Sequence, residues 1–230
     1  NMRIALMLGS APNAVEARDW PRAPFDHIVT INNAWRIRDD WDDLCCPWDF
    51  PQDRRPSPAA HQRLILQEDF VPTQNLYGGF VYAGGTMSFT AGYWALGALK
   101  PDVIAYIGCD MVYDAKPGQN THFYGSGTAD PLRADVTLQS LEAKSLRLMA
   151  LARRQGCAVV NLSELESSRL CFPRLAFKDL ASMTQKPNHP TQLATVVQTA
   201  LRAEADVGYW VESGRYWEKH DQFDRQTLRD

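Results

Sequence analysis

Four runs of this chain, at 3–8 (RIALML), 27–31 (HIVTI), 102–107 (DVIAYI) and 157–162 (CAVVNL), are apolar at nearly every position rather than at alternate ones. A strand with one wet face alternates apolar and polar residues. A strand that is apolar throughout has to be covered on both faces, as in a parallel sheet between two layers of helix. Stretches with helical spacing separate these runs, so the order strand–helix–strand predicts an α/β fold with a mostly parallel sheet.

The first run closes on Gly9-Ser10-Ala11-Pro12-Asn13, a tight turn expected to open a helix with Pro12 in its first turn. Small residues there allow either a plain strand–helix turn or the approach of a phosphate to helix N–H groups. The second run ends in Asn32-Asn33, whose amides suit a helix cap or a hydrogen bond to a ribose, base or sugar. Residues 43–48 read as a short third strand and 51–58 as a loop. A helix is expected from Ser57-Pro58 through AAHQRLILQEDF, with His61 on its wet face. Residues 77–82 read as β-like and lead into Gly84-Gly85-Thr86, then MSFTAGYWALGAL, a helix apolar on most sides. The glycine-rich turn fits either a cradle for phosphate or carboxylate or close packing of helix on sheet. Further helices are expected over 131–155, from Ser163 with Glu166 completing a capping box, and over 191–205.

At 230 residues and 45% hydrophobic content the chain can bury a sizeable core. A Rossmann-like domain over 1–173 and a helical C-terminal extension over 174–230 are expected. A formal net charge of -3 argues against a general nucleic-acid binder. No apolar run reaches the roughly 18 residues of a membrane helix and no leader is evident, which predicts a cytoplasmic protein, free or peripheral to the inner membrane. The five cysteines contain no C-x-x-C pair and are expected to be free buried thiols. The aromatic, charged tail GYWVESGRYWEKHDQF suits packing on the body or on a partner subunit of a homo-oligomer.

Chemistry is expected in 104–127, IAYIGCDMVYDAKPGQNTHFYGSG, where a buried-looking strand breaks at Gly108. Asp110, Tyr113, Asp114, His122 and Tyr124 then follow in one polar loop. Ligands of open α/β sheets sit at the carboxyl ends of strands, and packing alone gives no reason for so many ionisable and hydroxyl groups there.

Three blocks together resemble the bacterial CMP-sialic acid-dependent sialyltransferases of the single-domain Rossmann-like type. They are LGSAP with TINNAW; GGT, an apolar helix ending ALG, and IAYIGCD; and QNTHFYG, a helix, then VVNLSELESSRLCFP. The resemblance spans roughly residues 3–173. It implies a transferase that moves a sugar from a nucleotide-sugar donor to a saccharide acceptor, in the building of a bacterial surface saccharide such as lipopolysaccharide, without a metal cofactor. It places the general base at His122, a suitable role for imidazole. Tyr113 would stabilise the departing phosphate, displaced by one place from the family pattern. Asp110 would order the loop or hold a hydroxyl. Nucleotide and substrate contacts are implied at Gly9, Ser10, Asn32, Asn33, Gly84, Gly85, Thr86 and Tyr124. The chain departs from the family at Ser10-Ala11, where an Asn-Gly pair is usual, and at Gly-Gly-Thr, where Thr-Ser-Gly is usual; its loop between Asp110 and His122 is also shorter. The GGT–helix–GxD block equally resembles hydroxymethylpterin pyrophosphokinase-like proteins, which implies a Mg2+ alternative through Asp110 and Asp114. A non-catalytic nucleotide- or saccharide-binding protein is the third expectation.

Overall fold

The computed structural model describes residues 1–112, 122–124, 140–185 and 191–229. Six strands form one parallel sheet: β1 Ile4–Leu8, β2 His27–Ile31, β3 Asp43–Cys45, β4 Arg63–Ile65, β5 Val103–Ile107 and β6 Ala158–Asn161. Their order is β4-β3-β2-β1-β5-β6. The chain therefore walks outward from β1 to β4, returns, and adds β5 on the other side of β1. This is a Rossmann-like arrangement with its topological switch point between β1 and β5.

Alternate residues of the central strands feed two separate cores, the reason those runs are apolar at every position. Met7, Val29, Ile104, Tyr106 and Val159 face one core. Ile4, Leu6, Leu8, Ile28, Val103, Ala105 and Ile107 face the other. The first face is covered by α1 Gln67–Asn75, α2 Phe80–Ala83, α3 Met87–Trp94 (continued by a wider turn over Ala95–Leu99) and α4 Leu141–Arg154. The second is covered by the 3-10 segments Pro12–Asp19 and Asn32–Arg36, with α5 Phe177–Leu180. There Trp20 and Phe177 stack with centroids 4.5 Å apart.

The C-terminal part adds α6 Thr191–Val207, a 3-10 segment Tyr216–Gln222 and α7 Arg225–Arg229. Glu204 on α6 receives two hydrogen bonds from Arg147 on α4, at 2.7 and 2.9 Å. The same guanidinium reaches the Tyr93 hydroxyl and the Tyr77 carbonyl, so the extension is pinned to the body by a network with good geometry.

Five expectations are corrected. The stretch after Ser57-Pro58 is not one helix: Arg63–Ile65 is an edge strand paired to β3, and α1 begins only at Gln67, where the Asp69 carboxylate accepts the Leu66 N–H. His61 is exposed in the turn before β4. The β-like run at 77–82 instead opens α2, because Gly78 and Gly79 both have positive φ and turn the chain. The third strand stops at Cys45, ahead of Pro47. No helix begins at Ser163, whose N–H donates to Asn161 Oδ1 and whose hydroxyl accepts from the Leu165 N–H, folding a turn instead. Of the cysteines, Cys45, Cys46, Cys109 and Cys157 are buried and Cys171 is exposed, against the expectation for that residue.

Candidate active site at the switch point

The loops leaving β1 and β5 cross at the switch point and are locked together. Gly9 N–H donates to the Ile107 carbonyl at 2.9 Å and Ala11 N–H to the Gly108 carbonyl at 3.0 Å. Gly108 has φ +78, and a Cβ on Gly9 would stand 2.3 Å from the Gly108 carbonyl oxygen and 2.4 Å from Cys109 Sγ. Both glycines are therefore required by backbone-to-backbone contact.

Asp110 follows this crossing and is 1% exposed. Its two carboxylate oxygens accept amide protons from Asn13 Nδ2, at 3.2 Å, and Asn161 Nδ2, at 3.0 Å. Its carbonyl accepts the Arg169 N–H. Asn13 Nδ2 also reaches Ser163 Oγ at 3.1 Å. Asp110 thus ties together the ends of β1, β5 and β6.

Because both protons of the Asn13 amide face acceptors, its Oδ1 is directed elsewhere, and that atom is buried without a hydrogen-bond partner. Asn32 Oδ1 is also buried and unpaired, on a residue held at φ +53 immediately after β2. Ser10 reaches the end of β2, its hydroxyl 3.4 Å from the Ile31 carbonyl. Native structures rarely leave such acceptors unmet. Asn33 is buried beside Asn32 at 4% exposure.

His122 reaches the same place. The N–H of its neighbour Phe123 donates to the Ser10 carbonyl at 2.8 Å, which holds the segment 122–124 against the turn after β1. His122 is 8% exposed, and burial lowers its pKa below the usual imidazole value. Its ring lies 5.0 Å from that of Tyr124, which is 37% exposed. Tyr113 and Asp114 lie outside the described residues.

The N-terminus of α3 also points here, since the Ser88 hydroxyl hydrogen-bonds the Cys109 thiol. Burial, the larger effect, still pushes that thiol up to about 12. The preceding turn is not open throughout. A Cβ on Gly85 would meet the Tyr216 hydroxyl at 2.1 Å, so the C-terminal tail occupies the space beside that glycine. The Gly84 carbonyl accepts from Gln74 Nε2. Of the two expectations for this turn, close packing describes Gly85, with the tail rather than the sheet as its neighbour.

Charge divides the cleft. On the β6 side, the Glu16 carboxyl is raised by partial burial and by the negative charges of Glu164 and Asp110. On the β2 side stand Ser10, Asn32 and the start of α3, whose free N–H groups favour an anion. Two depressions of about 420 and 500 Å3 lie elsewhere, around Tyr77 and Gln155. They share no residue with the switch point, and they border the turn into β5 rather than the carboxyl edge where an open sheet binds its ligand.

Asn13, Asn161 and Ser163 were not singled out as site residues from the sequence. The signal was available for Asn161, a polar residue ending an apolar strand, as Asn32 does one residue past β2. No family model matches the chain, nor does any curated protein or solved structure. Among the described residues, no helix is long and apolar enough to cross a membrane.

Proposed function

We propose that the protein is a nucleotide-sugar glycosyltransferase of sialyltransferase-like type, with the donor nucleotide between the ends of β1 and β2 and with His122 as general base. The observation that carries this is that the segment bearing a buried imidazole of lowered pKa is bonded to the Gly9-Ser10 turn, with unpaired amide acceptors on Asn13 and Asn32 in the turns after β1 and β2. Acceptor atoms seek hydroxyl or amine donors, which nucleosides and sugars carry, whereas a fully ionised phosphate ester offers only acceptors.

In the reaction, neutral His122 takes the proton of an acceptor hydroxyl as that oxygen bonds to the anomeric carbon of the donor sugar. The bond from that carbon to the phosphate oxygen breaks, and its electron pair leaves on the nucleotide. N–H groups at the start of α3 are placed to favour the charge that develops there. Asp110 is a positioning residue in this scheme. Both of its oxygens already accept amide protons, which fixes the carboxylate against the ends of β1 and β6.

A thermal-shift screen of CMP, CDP, UDP, GDP and ATP, each with and without Mg2+, tests the proposal. Stabilisation by CMP irrespective of Mg2+ is expected, since a ligand that binds only the native state raises its apparent stability. A response to ATP with Mg2+ alone would overturn it. With CMP-sialic acid as donor, His122→Ala is expected to abolish transfer while CMP binding persists.

A further inference from the structure

The C-terminal tail is seated on the same edge of the sheet as the switch point. Glu212 accepts a hydrogen bond from Asn75 Nδ2 through its carbonyl, and Gly214 packs on Phe80 and Val71. Tyr216 stacks on Phe80, with centroids 6.5 Å apart and planes inclined by 21°, and its hydroxyl fills the space at Gly85. Gly85 lies three residues before Ser88, just ahead of the start of α3, a span of at most about 11 Å. Ser88 holds Cys109, which in turn abuts Gly9. The tail is thus continuous with the candidate nucleotide site.

The residue after Tyr216 behaves differently. Tyr216 is 5% exposed, whereas Trp217 keeps 42% of its surface in solvent. It is nevertheless held in place, edge to face with Trp48 at 5.1 Å and 82° and edge to face with Tyr216 at 5.3 Å. Trp48 is fixed in turn by Phe70 and Phe80. Trp48 lies three residues beyond the last residue of β3, and the ends of β3 and β1 are two strand spacings, about 10 Å, apart. From the β1 turn a nucleotide would extend its far end along the sheet edge in this direction. The opposite direction, toward β6, is closed by the Asn13–Asp110–Asn161 network and carries the negative charge of Glu16 and Glu164.

We infer that Trp217 is a stacking surface for the base of the bound nucleotide, so that the C-terminal extension completes the donor site. A rigid, half-exposed indole offers a flat π face, which any base accepts. The unpaired Asn32 Oδ1, just past the end of β2, supplies an acceptor for a ribose hydroxyl or an exocyclic amine. The inference rests on the nucleotide-sugar reading and identifies the part of the site that the tail builds.

The test compares CMP with ribose 5-phosphate, which lacks the base, by calorimetric titration of the full chain and of Trp217→Ala and Trp217→Phe. Loss of a base–aromatic stack is expected to weaken CMP about tenfold to a hundredfold in Trp217→Ala. Ribose 5-phosphate should bind all three proteins equally, and Trp217→Phe should keep most of the CMP affinity. Unchanged CMP affinity in Trp217→Ala would overturn the inference alone, leaving the nucleotide reading intact. Equal weakening of CMP and ribose 5-phosphate would also overturn it, because that pattern marks a structural role. Failure of the unaltered protein to bind CMP would overturn both.

Discussion

Gly9 and Gly108 touch backbone to backbone across the switch point, so close that a Cβ on Gly9 would stand 2.3 Å from the Gly108 carbonyl oxygen. The obstacle is main chain and cannot swing aside as a side-chain end would. Gly9→Ala is therefore expected to lower stability by about 3 kcal/mol, the upper end of ordinary overpacking costs. Urea melts of the two proteins measure it, and a difference under about 1 kcal/mol would mean the two loops part easily.

Asp110 is predicted to act through its two amide partners. Asp110→Ala leaves the Nδ2 atoms of Asn13 and Asn161 short of an acceptor, at about 1–3 kcal/mol for each buried group. A loss of about 3–4 kcal/mol is expected. Asp110→Asn retains one acceptor oxygen and should lose less, about 1–2 kcal/mol by the same reasoning. Equal losses in the two variants would remove the hydrogen-bond explanation.

The central strands were readable from the sequence because two-sided burial leaves a strong local mark: no polar residue interrupts IALML or VIAYI. Arg63–Ile65 left no such mark. It is a three-residue edge strand whose pairing with β3 is a tertiary fact, and the residues around it have helical propensity. The candidate site drew notice where polar residues follow apolar strands, at Asn32 and Asp110, and further along the loop after β5 in the His122 block. Asn13 was not, since its role depends on Asp110, 97 positions away in the chain. Nor was the meeting of Gly85 with Tyr216, which is set by how the tail docks.

His122 carries a prediction about pH. Burial lowers its pKa, so the imidazole remains neutral and basic below the ordinary value of about 6.5. The acidic limb of kcat/KM for transfer should have its midpoint below that value. His122→Gln should show no limb and only residual turnover. A midpoint above about 7 would assign the limb to another group.

His27 gives the opposite sign. Its hydrogen bond to Asp43, at 2.5 Å, raises its pKa in the folded state despite partial burial. A folded-state pKa above the unfolded value means that the stabilisation is complete below about pH 6.5 and disappears as pH rises through the raised value. Arg63 stays on Asp43 at 3.0 Å throughout, so the carboxylate is not stranded when His27 loses its proton. The stability gap between the natural protein and His27→Gln should be widest in mildly acidic buffer and narrow toward pH 9. A gap that grows with pH would contradict the pairing.

The contact between Gly85 and Tyr216 is best examined by a double-mutant cycle. A Cβ at position 85 would lie 2.1 Å from the Tyr216 hydroxyl and 2.8 Å from its Cζ, so Gly85→Ala must push the ring away from Phe80. The expected cost is about 1–3 kcal/mol in the natural background. With Tyr216→Ala already in place the obstacle is gone, and the added methyl should cost little. The coupling energy should then fall within the roughly 0.5–3 kcal/mol seen for residues in contact. Trp217 adjoins Tyr216 in the chain and packs edge-on against it. Gly85→Ala should therefore weaken CMP binding as well, in the same sense as Trp217→Ala. Additive stabilities would show that the tail does not depend on the missing Cβ. Coupled stabilities with CMP affinity untouched would separate the anchoring of the tail from the placement of the indole.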